Sequence, residues 1–280
     1  MALEIHEQPD ARDWQVPSFE TTILKDKTSK YVIIIPVIDE GERIKAQLRD
    51  MAQQGICRAF DTVIVDGGST DGSLDIEFLT DMGTRALLTK TGPGKLSAQL
   101  RCGYAWALTE GYDGIITIDG NGKDGVDAVP RFAEALDSGH GYVQASRFIS
   151  GGVSENIPLS RYLAIRLIHA PLQSLAAKYW FTDTTQGFRA YSRDFLLNPA
   201  TQPFREIFTK YELLAYLTVR ASQLGYPVTE LPTSRVYPAN EPVPTKIKGL
   251  APLFELLSVL FKALFGVYHP KSGPNPGRAE

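Results

Sequence analysis

Residues 115–124 read Ile-Ile-Thr-Ile-Asp-Gly-Asn-Gly-Lys-Asp, an apolar β-run that stops abruptly at Asp119, Asn121 and Asp124, separated by glycines. The arrangement recurs upstream. Thr62-Val63-Ile64-Val65 runs into Asp66-Gly67-Gly68-Ser69-Thr70-Asp71-Gly72, and Tyr31-Val32-Ile33-Ile34-Ile35 runs into Pro36 and then Asp39-Glu40-Gly41. A continuous apolar run of this length reads as a strand buried on both faces. In open α/β sheets the carboxyl ends of such strands border the ligand crevice. Strands that each end in acid therefore point to one shared cleft.

The periodicity between these runs gives the class. Strands are expected at 31–37, 61–66, 86–88, 114–119 and 141–146, with helices near 40–54, 72–82, 95–109 and 126–137. That alternation predicts an α/β fold, a doubly wound, mostly parallel sheet with helices on both faces and right-handed crossovers. Beyond it, Leu159–Ala170 and Leu172–Trp180 read as helices interrupted at Pro171, which lacks an N–H. Residues 188–191 read as a short strand, Tyr211–Leu224 as a helix ended by Gly225, and 228–232 as an edge strand because of Pro232. The expected division is an N-terminal arm at 1–30, the main domain at 31–237, a basic, proline-rich loop and apolar helix at 238–268, and a disordered tail at 269–280. The last helix carries Glu255, Ser258 and Lys262 on one stripe. Its remaining wide apolar face must be covered by the domain, a second subunit or a membrane surface.

Composition excludes several classes. With 43% apolar and 22% charged residues, the 280-residue chain is an ordinary globular protein. A formal net charge of −3 gives no basic field for nucleic acid, and no nucleic-acid partner is expected. Cys57 and Cys102 lack CxxC or Cys/His spacing and read as reduced packing residues, which suits a cytoplasmic address. Met1–Ser29 shows no signal-peptide pattern, and no apolar run reaches the roughly 18–20 residues of a membrane span. The expected location is therefore cytoplasmic or peripheral to the inner face of the membrane, with 250–265 as the contact.

Five segments occur in a familiar order: Val-Ile-Ile-Ile-Pro-Val-Ile-Asp-Glu (32–40), Val-Asp-Gly-Gly-Ser-Thr-Asp-Gly (65–72), Ile-Asp-Gly-Asn (118–121), Ala-Ser-Arg-Phe (145–148) and Gln-Gly-Phe-Arg-Ala-Tyr-Ser (186–192). In this the chain resembles the family 2 glycosyltransferases of GT-A fold, and most closely the branch that looks like polyprenyl-phosphate sugar synthases. The resemblance covers about residues 31–237. It implies transfer of a sugar, with inversion, from a nucleoside-diphosphate sugar to a polyprenyl phosphate or a glycan in cell-envelope polysaccharide or glycolipid synthesis. The alternative is a nucleotide-sugar-binding regulator without chemistry, for which Gly67 and Asn121 stand as departures from the family pattern.

The resemblance also implies roles. Asp66, with Pro36, Ile38 and Glu40, would hold the nucleoside, although the family often has an aromatic at the Ile38 position. Asp119 and Asn121 match the Asp-x-Asp motif that holds a divalent cation on the donor diphosphate. Oxygen ligands suit Mg²⁺ or Mn²⁺. Asn121 is neutral where the family has a carboxylate, Lys123 stands where near relatives carry a ligand and would itself pair with the donor diphosphate, and Asp124 would restore the missing acid. Arg147 suits a diphosphate. Lys95, in Gly92-Pro93-Gly94-Lys95 before a helix, suggests a donor-side anion nest. Arg235 and Lys246 flank the proline loop and resemble a basic closing loop. Glu212 falls where inverting relatives carry a base for a hydroxyl acceptor, and Asp183 is the competing acid. Arg235 and Lys246 favour a phosphate acceptor; Glu212 favours a hydroxyl.

Overall fold

The computed structural model describes residues 13–237 and 250–271. In chain order the elements are β1 (Phe19–Ile23), β2 (Tyr31–Val37), α1 (Glu42–Gln53), α2 (Ile56–Ala59), β3 (Asp61–Asp66), α3 (Ile76–Asp81), β4 (Thr84–Lys90), α4 (Leu96–Thr109), β5 (Gly114–Thr117), α5 (Val129–Asp137), β6 (Tyr142–Ser146), β7 (Val153–Glu155), α6 (Leu159–Ala164), α7 (Ala170–Ala177), β8 (Arg189–Ser192), α8 (Arg193–Leu197), α9 (Glu212–Gln223), β9 (Val228–Pro232), β10 (Ser234–Val236) and α10 (Leu250–Leu264).

Side-chain alternation along β2 and β3 explains why helices cover both faces. Val32, Ile34, Val63 and Val65 join the core that holds α4 and α9 residues. Ile33, Ile35 and Ile64, one position out of phase, join the core that holds α1 and α5 residues. Strands with period two and apolar residues at every position need both coverings. The sheet order is β1-β4-β3-β2-β5-β8-β6-β9. The β4-β3-β2-β5 block is parallel, whereas β8 runs antiparallel to both β5 and β6. The chain moves outward from β2 through β3 and β4, then returns to pair β5 on the other side of β2. The carboxyl end of β2 is therefore the topological switch point, where a crevice opens. A small separate sheet pairs β10 with β7 in parallel.

Three segments differ from the sequence-based expectation. Residues 13–30, expected to be part of an arm, contribute β1 to the sheet edge, antiparallel to β4. Trp14 stacks on Phe204 at 4.1 Å, fixing the segment further. The 159–180 region does not break at Pro171. Pro171 cannot donate to the Leu167 carbonyl, and the chain accommodates this with a π-helical turn at Ile165–His169 that runs straight into α7. His269, assigned to a disordered tail, is placed with Nε2 3.0 Å from Gln223 Oε1. Residues 272–280, like the 238–249 loop, lie outside the described residues. The edge position of β9 agrees with Pro232. On α10, Val259, Leu260 and Ala263 are buried while Phe254, Phe261 and Phe265 are exposed. Glu255 on its polar stripe pairs with Lys210.

α4 is buried at every position from Ser97 to Leu108, so it must lie almost on the sheet. Gly103 permits this. A Cβ there would come within 2.9 Å of both Ile34 Cγ2 and Val65 Cγ2. Gly103→Val is expected to lower stability by about 1–3 kcal/mol, as overpacking of a dense core does. Urea unfolding should show a reduced midpoint with an unchanged slope.

Candidate active site

Asp66 ends β3 beside Val37 of β2. Its carboxylate accepts the N–H groups of Gly68 (3.0 Å) and Ser69 (2.8 Å), which shapes the following turn. That loop is laced to the one after β2. Asp39 accepts the Thr70 N–H at 2.8 Å, Ser69 Oγ accepts the Asp39 N–H at 3.1 Å, and Asp71 accepts the Gly41 N–H at 2.8 Å. Asp39 takes a left-handed φ of 48°, a conformation that short polar side chains tolerate. The two loops thus form one rim. Pro36 is half-buried on it, Ile38 is exposed, and Glu40 accepts Nε and a terminal N–H of Arg43 at 3.0 and 2.8 Å.

Gly67, where the resemblance leads one to look for a second acid, has a local cause. A Cβ there would stand 2.7 Å from Gln99 Nε2. That amide donates to the Val37 and Val65 carbonyls at 2.9 and 3.1 Å, bridging the ends of β2 and β3. Gln99 occupies the space from the α4 side.

Asp119 lies just past β5, on the opposite flank of β2 from Asp66. Gly120 lets it approach, since a Cβ there would be 2.9 Å from Val37 Cγ2. Gly187 makes room for the carboxylate, because its Cβ would fall 2.0 Å from Asp119 Oδ1. Asp119 Oδ2 sits 3.4 Å from both Asn121 Nδ2 and a terminal nitrogen of Arg235. Its side chain retains 25% exposure.

Asp124 is not available as a third cation ligand. Both its oxygens accept from one Arg235 nitrogen at 2.6 Å, and its side chain is only 1% exposed. Arg235 is held strongly in its charged form: burial opposes this, but Asp124 and Asp119 outweigh the burial. The backbone reinforces the pair, with Val236 N–H donating to the Lys123 carbonyl at 2.9 Å and Gly125 N–H to the Ser234 carbonyl at 3.1 Å.

Arg147 is likewise committed. Its Nε donates to Asp183 at 2.6 Å, and its terminal nitrogens donate to the Tyr237 hydroxyl (2.9 Å) and Thr185 Oγ1 (3.1 Å). Asp183 is fully buried. Burial would raise its pKa, but Arg147 and the surrounding donors hold it below the ordinary carboxylate range. The loop is fixed from behind by Glu230, whose carboxylate accepts the N–H groups of Thr182 and Asp183. Asp183 therefore holds the Arg147 guanidinium in place.

Glu212 caps its own turn, accepting the N–H groups of Thr209 (3.0 Å) and Lys210 (2.6 Å) at the start of α9. The Gly92–Lys95 loop is not an open nest. Gly92 N–H donates to Ser18, Lys95 N–H to Thr209 and Ser97 N–H to Lys210, all at backbone carbonyls, while Lys95 itself is exposed. Lys246 lies outside the described residues.

Tyr237 and Arg161 are additions that the sequence reading did not make. Around the Tyr237 ring stand Lys123 Nζ at 5.6 Å and the guanidinium carbons of Arg161, Arg235 and Arg147 at 5.5, 5.9 and 6.0 Å. The period-two step from Arg235 to Tyr237 was the available signal. Burial would raise the Tyr237 pKa, but Arg147 and Arg235 bring it down to about 8. Lys123 is pushed down by burial and then by Arg235. The switch point thus carries Asp66 and Asp119 on its two flanks, with a cationic box beyond Asp119.

The profile of glycosyl transferase family 2 matches residues 32–197. The chain is 26% identical to the polyprenol monophosphomannose synthase of Mycolicibacterium smegmatis over 73% of this chain and 77% of that protein. It is 28% identical to the undecaprenyl-phosphate mannosyltransferase of Micrococcus luteus, over 74% and 84% of the two chains. In fold it is similar to the glucosyl-3-phosphoglycerate synthase of Mycobacterium tuberculosis, solved with Mn²⁺, UDP-glucose and phosphoglyceric acid. That similarity has a TM-score of 0.58 at 17% identity, over 87% and 81% of the two chains.

Two outcomes follow from the geometry. Asp124→Asn strands a buried guanidinium, so even without added metal it should cost about 3–5 kcal/mol, visible in thermal melts. A residue acting only as a metal ligand would leave the metal-free melt unmoved. Tyr237 should ionise near pH 8, as the difference in phenolate absorbance between wild type and Tyr237→Phe. Its folded pKa is depressed, so the stability it contributes is present above its unfolded value of about 10 and is lost as pH falls through 8. Relative to Tyr237→Phe, wild type should therefore gain stability between pH 8 and 10.

Proposed function

The chain belongs to glycosyl transferase family 2, and from that premise we propose that it transfers mannose from a nucleoside-diphosphate sugar to a polyprenyl phosphate, inverting C1. The observation that carries the acceptor class is the fate of the two candidate bases. A hydroxyl acceptor needs a base aligned with its proton. Glu212 is turned to the amides of its own turn and Asp183 to Arg147. A phosphate acceptor is already anionic and needs neither. The cationic box of Lys123, Arg147, Arg161 and Arg235 suits such an acceptor.

In this reading the nucleoside lies on the rim formed by Pro36, Ile38 and Asp66, with its diphosphate toward Asp119. An acceptor phosphate oxygen attacks C1 from the face opposite the diphosphate. The new C1–O bond forms as the C1–O bond to the diphosphate breaks, and the nucleoside diphosphate departs with the electron pair. Lys123 and Arg235 stabilise the phosphate charges. Asp119, partly exposed and next to the Asn121 amide, fits the way Mg²⁺ or Mn²⁺ is usually held, by one or two carboxylates with substrate phosphates and water. Among the described residues no group of His, Cys, Asp or Glu forms a larger ligand set. When bound, the cation would act as a Lewis acid toward the leaving diphosphate.

The lipid-linked acceptor also supports peripheral contact with a membrane through 250–265, where Phe254, Phe261 and Phe265 are exposed. Among the described residues no helix is long and apolar enough to cross a membrane. The reading is tested by calorimetric titration with UDP, GDP and their mannose and glucose conjugates, with and without Mn²⁺, followed by transfer assays. Expected are Mn²⁺-enhanced binding of one nucleotide, transfer to a prenyl phosphate, and none to the matching prenyl alcohol. Glu212→Gln should keep transfer within about threefold of wild type, because no proton needs removal. Transfer to the alcohol, or loss of transfer in Glu212→Gln with donor affinity intact, would overturn the phosphate-acceptor reading.

A further inference from the structure

The cationic box is bordered by a surface that its own chemistry does not account for. α6, the π-helical turn and α7 form one continuous helical run. On its inner side Ile165, Ala170, Ala176 and Ala177 are buried, and Arg161 reaches the Tyr237 hydroxyl at 3.4 Å. On its outer side Leu159, Leu163, Leu167, Ile168, Leu175 and Trp180 are exposed, with Leu167 and Trp180 each at 69%. An apolar stripe of this extent facing water calls for a partner.

Its charge indicates which partner. Residues 156–182 contain no Asp or Glu, and of their three cations Arg161 turns to the box and Arg166 to the Thr182 carbonyl, leaving Lys178 exposed. α10, which packs beside α7, adds exposed Lys262 and exposed Phe261 and Phe265, and its Glu255 is neutralised by Lys210. Two copies pairing through this face by a two-fold axis would oppose the same cations. An anionic lipid surface would instead accept both the lysines and the apolar stripe, with Trp180 at the interface.

We propose that the outer face of the α6–α7 run is a docking surface for an anionic lipid bilayer, which places the Arg161 side of the same run at the headgroup level. In its second clause the proposal rests on the phosphate-acceptor reading: Arg161, held toward the Tyr237 hydroxyl, would meet a lipid phosphate entering the box at that level.

The test is flotation of the full chain with vesicles of phosphatidylcholine alone and of phosphatidylcholine with phosphatidylglycerol. Wild type should float with the anionic vesicles and much less with the neutral ones. Leu167→Glu/Leu175→Glu, at two exposed positions that leave the fold intact by circular dichroism, should reduce flotation by about tenfold or more. The same variant should keep wild-type transfer to a short, water-soluble prenyl phosphate. Absence of flotation by wild type, equal flotation of the variant, or a wild-type dimer that the variant converts to monomer would each overturn the docking surface. Failure of wild type to use the soluble prenyl phosphate would instead overturn the acceptor reading and leave the flotation result standing.

Discussion

Arg235 and Asp124 form the contact on which the rest of the site depends. An exposed ion pair contributes about 0–1 kcal/mol, but a buried charge without its partner costs several. With 1% exposure on the carboxylate and 7% on the guanidinium, neither group has water to fall back on. The pair therefore requires β10 to lie against the loop after β5, and the flanking backbone bonds follow that approach. The approach sets three further positions. Arg235 comes to 3.4 Å from Asp119, Tyr237 is brought among Arg147, Arg161 and Lys123, and Lys123 is buried beneath β10. A second buried pair, Arg147 with Asp183, closes the box on its other side.

Much of the fold was legible because it follows from local periodicity. Strands β2, β3 and β5 carry unbroken apolar runs and are buried on both faces, and their ends announce themselves with Asp66 and Asp119. Parallel pairing then brings those acids to the two flanks of β2. The partners of the acids were not legible. Asp124 looks like a ligand beside Asp119 in sequence, yet its partner lies 111 residues away. Glu212 looks like a base, yet its carboxylate closes the turn just before its own helix. Gly92–Lys95 looks like an anion nest, but carbonyls from residues 18 and 209 take the Gly92 and Lys95 amides. The partners of Asp124 and of the Gly92–Lys95 loop are tertiary neighbours that no spacing rule reports, whereas Glu212 is taken by amides only two and three residues away. Pro171 is a different case: the missing N–H was read correctly, but the chain had a π-helical turn as an alternative to a break.

The departures from the family pattern also acquire physical causes. Gly67 is not a deleted acid in an otherwise unchanged pocket. Gln99 fills the space and satisfies two carbonyls at the end of the sheet, so a side chain at residue 67 would displace a buried amide. Buried polar groups left without partners cost about 1–3 kcal/mol, so residues 67 and 99 form a coupled choice. Asn121 and Lys123 are coupled in the same sense. Lys123 brings a positive charge to within reach of Asp119, and a neutral residue at 121 leaves that carboxylate without a like-charged neighbour two positions on.

Charge counting bears on the cation. Lys123, Arg147, Arg161 and Arg235 face Asp119, Asp124 and Asp183, so the box carries at most one excess positive charge. In the proposed reaction a donor diphosphate and an acceptor phosphate together bring more negative charge than that. Two anionic groups must also approach closely for an oxygen of one to attack a carbon held by the other. At the effective dielectric of a protein cleft, about 20, like charges about 4 Å apart repel by about 4 kcal/mol. A divalent ion on Asp119 would remove that repulsion on the donor side and leave the guanidinium groups for the acceptor. Ionisation of Tyr237 near pH 8 would act in the opposite direction, cancelling the excess charge. In the proposed reaction a single proton at Tyr237 therefore decides whether the box is neutral or positive, and a single divalent cation raises the positive field that the acceptor meets.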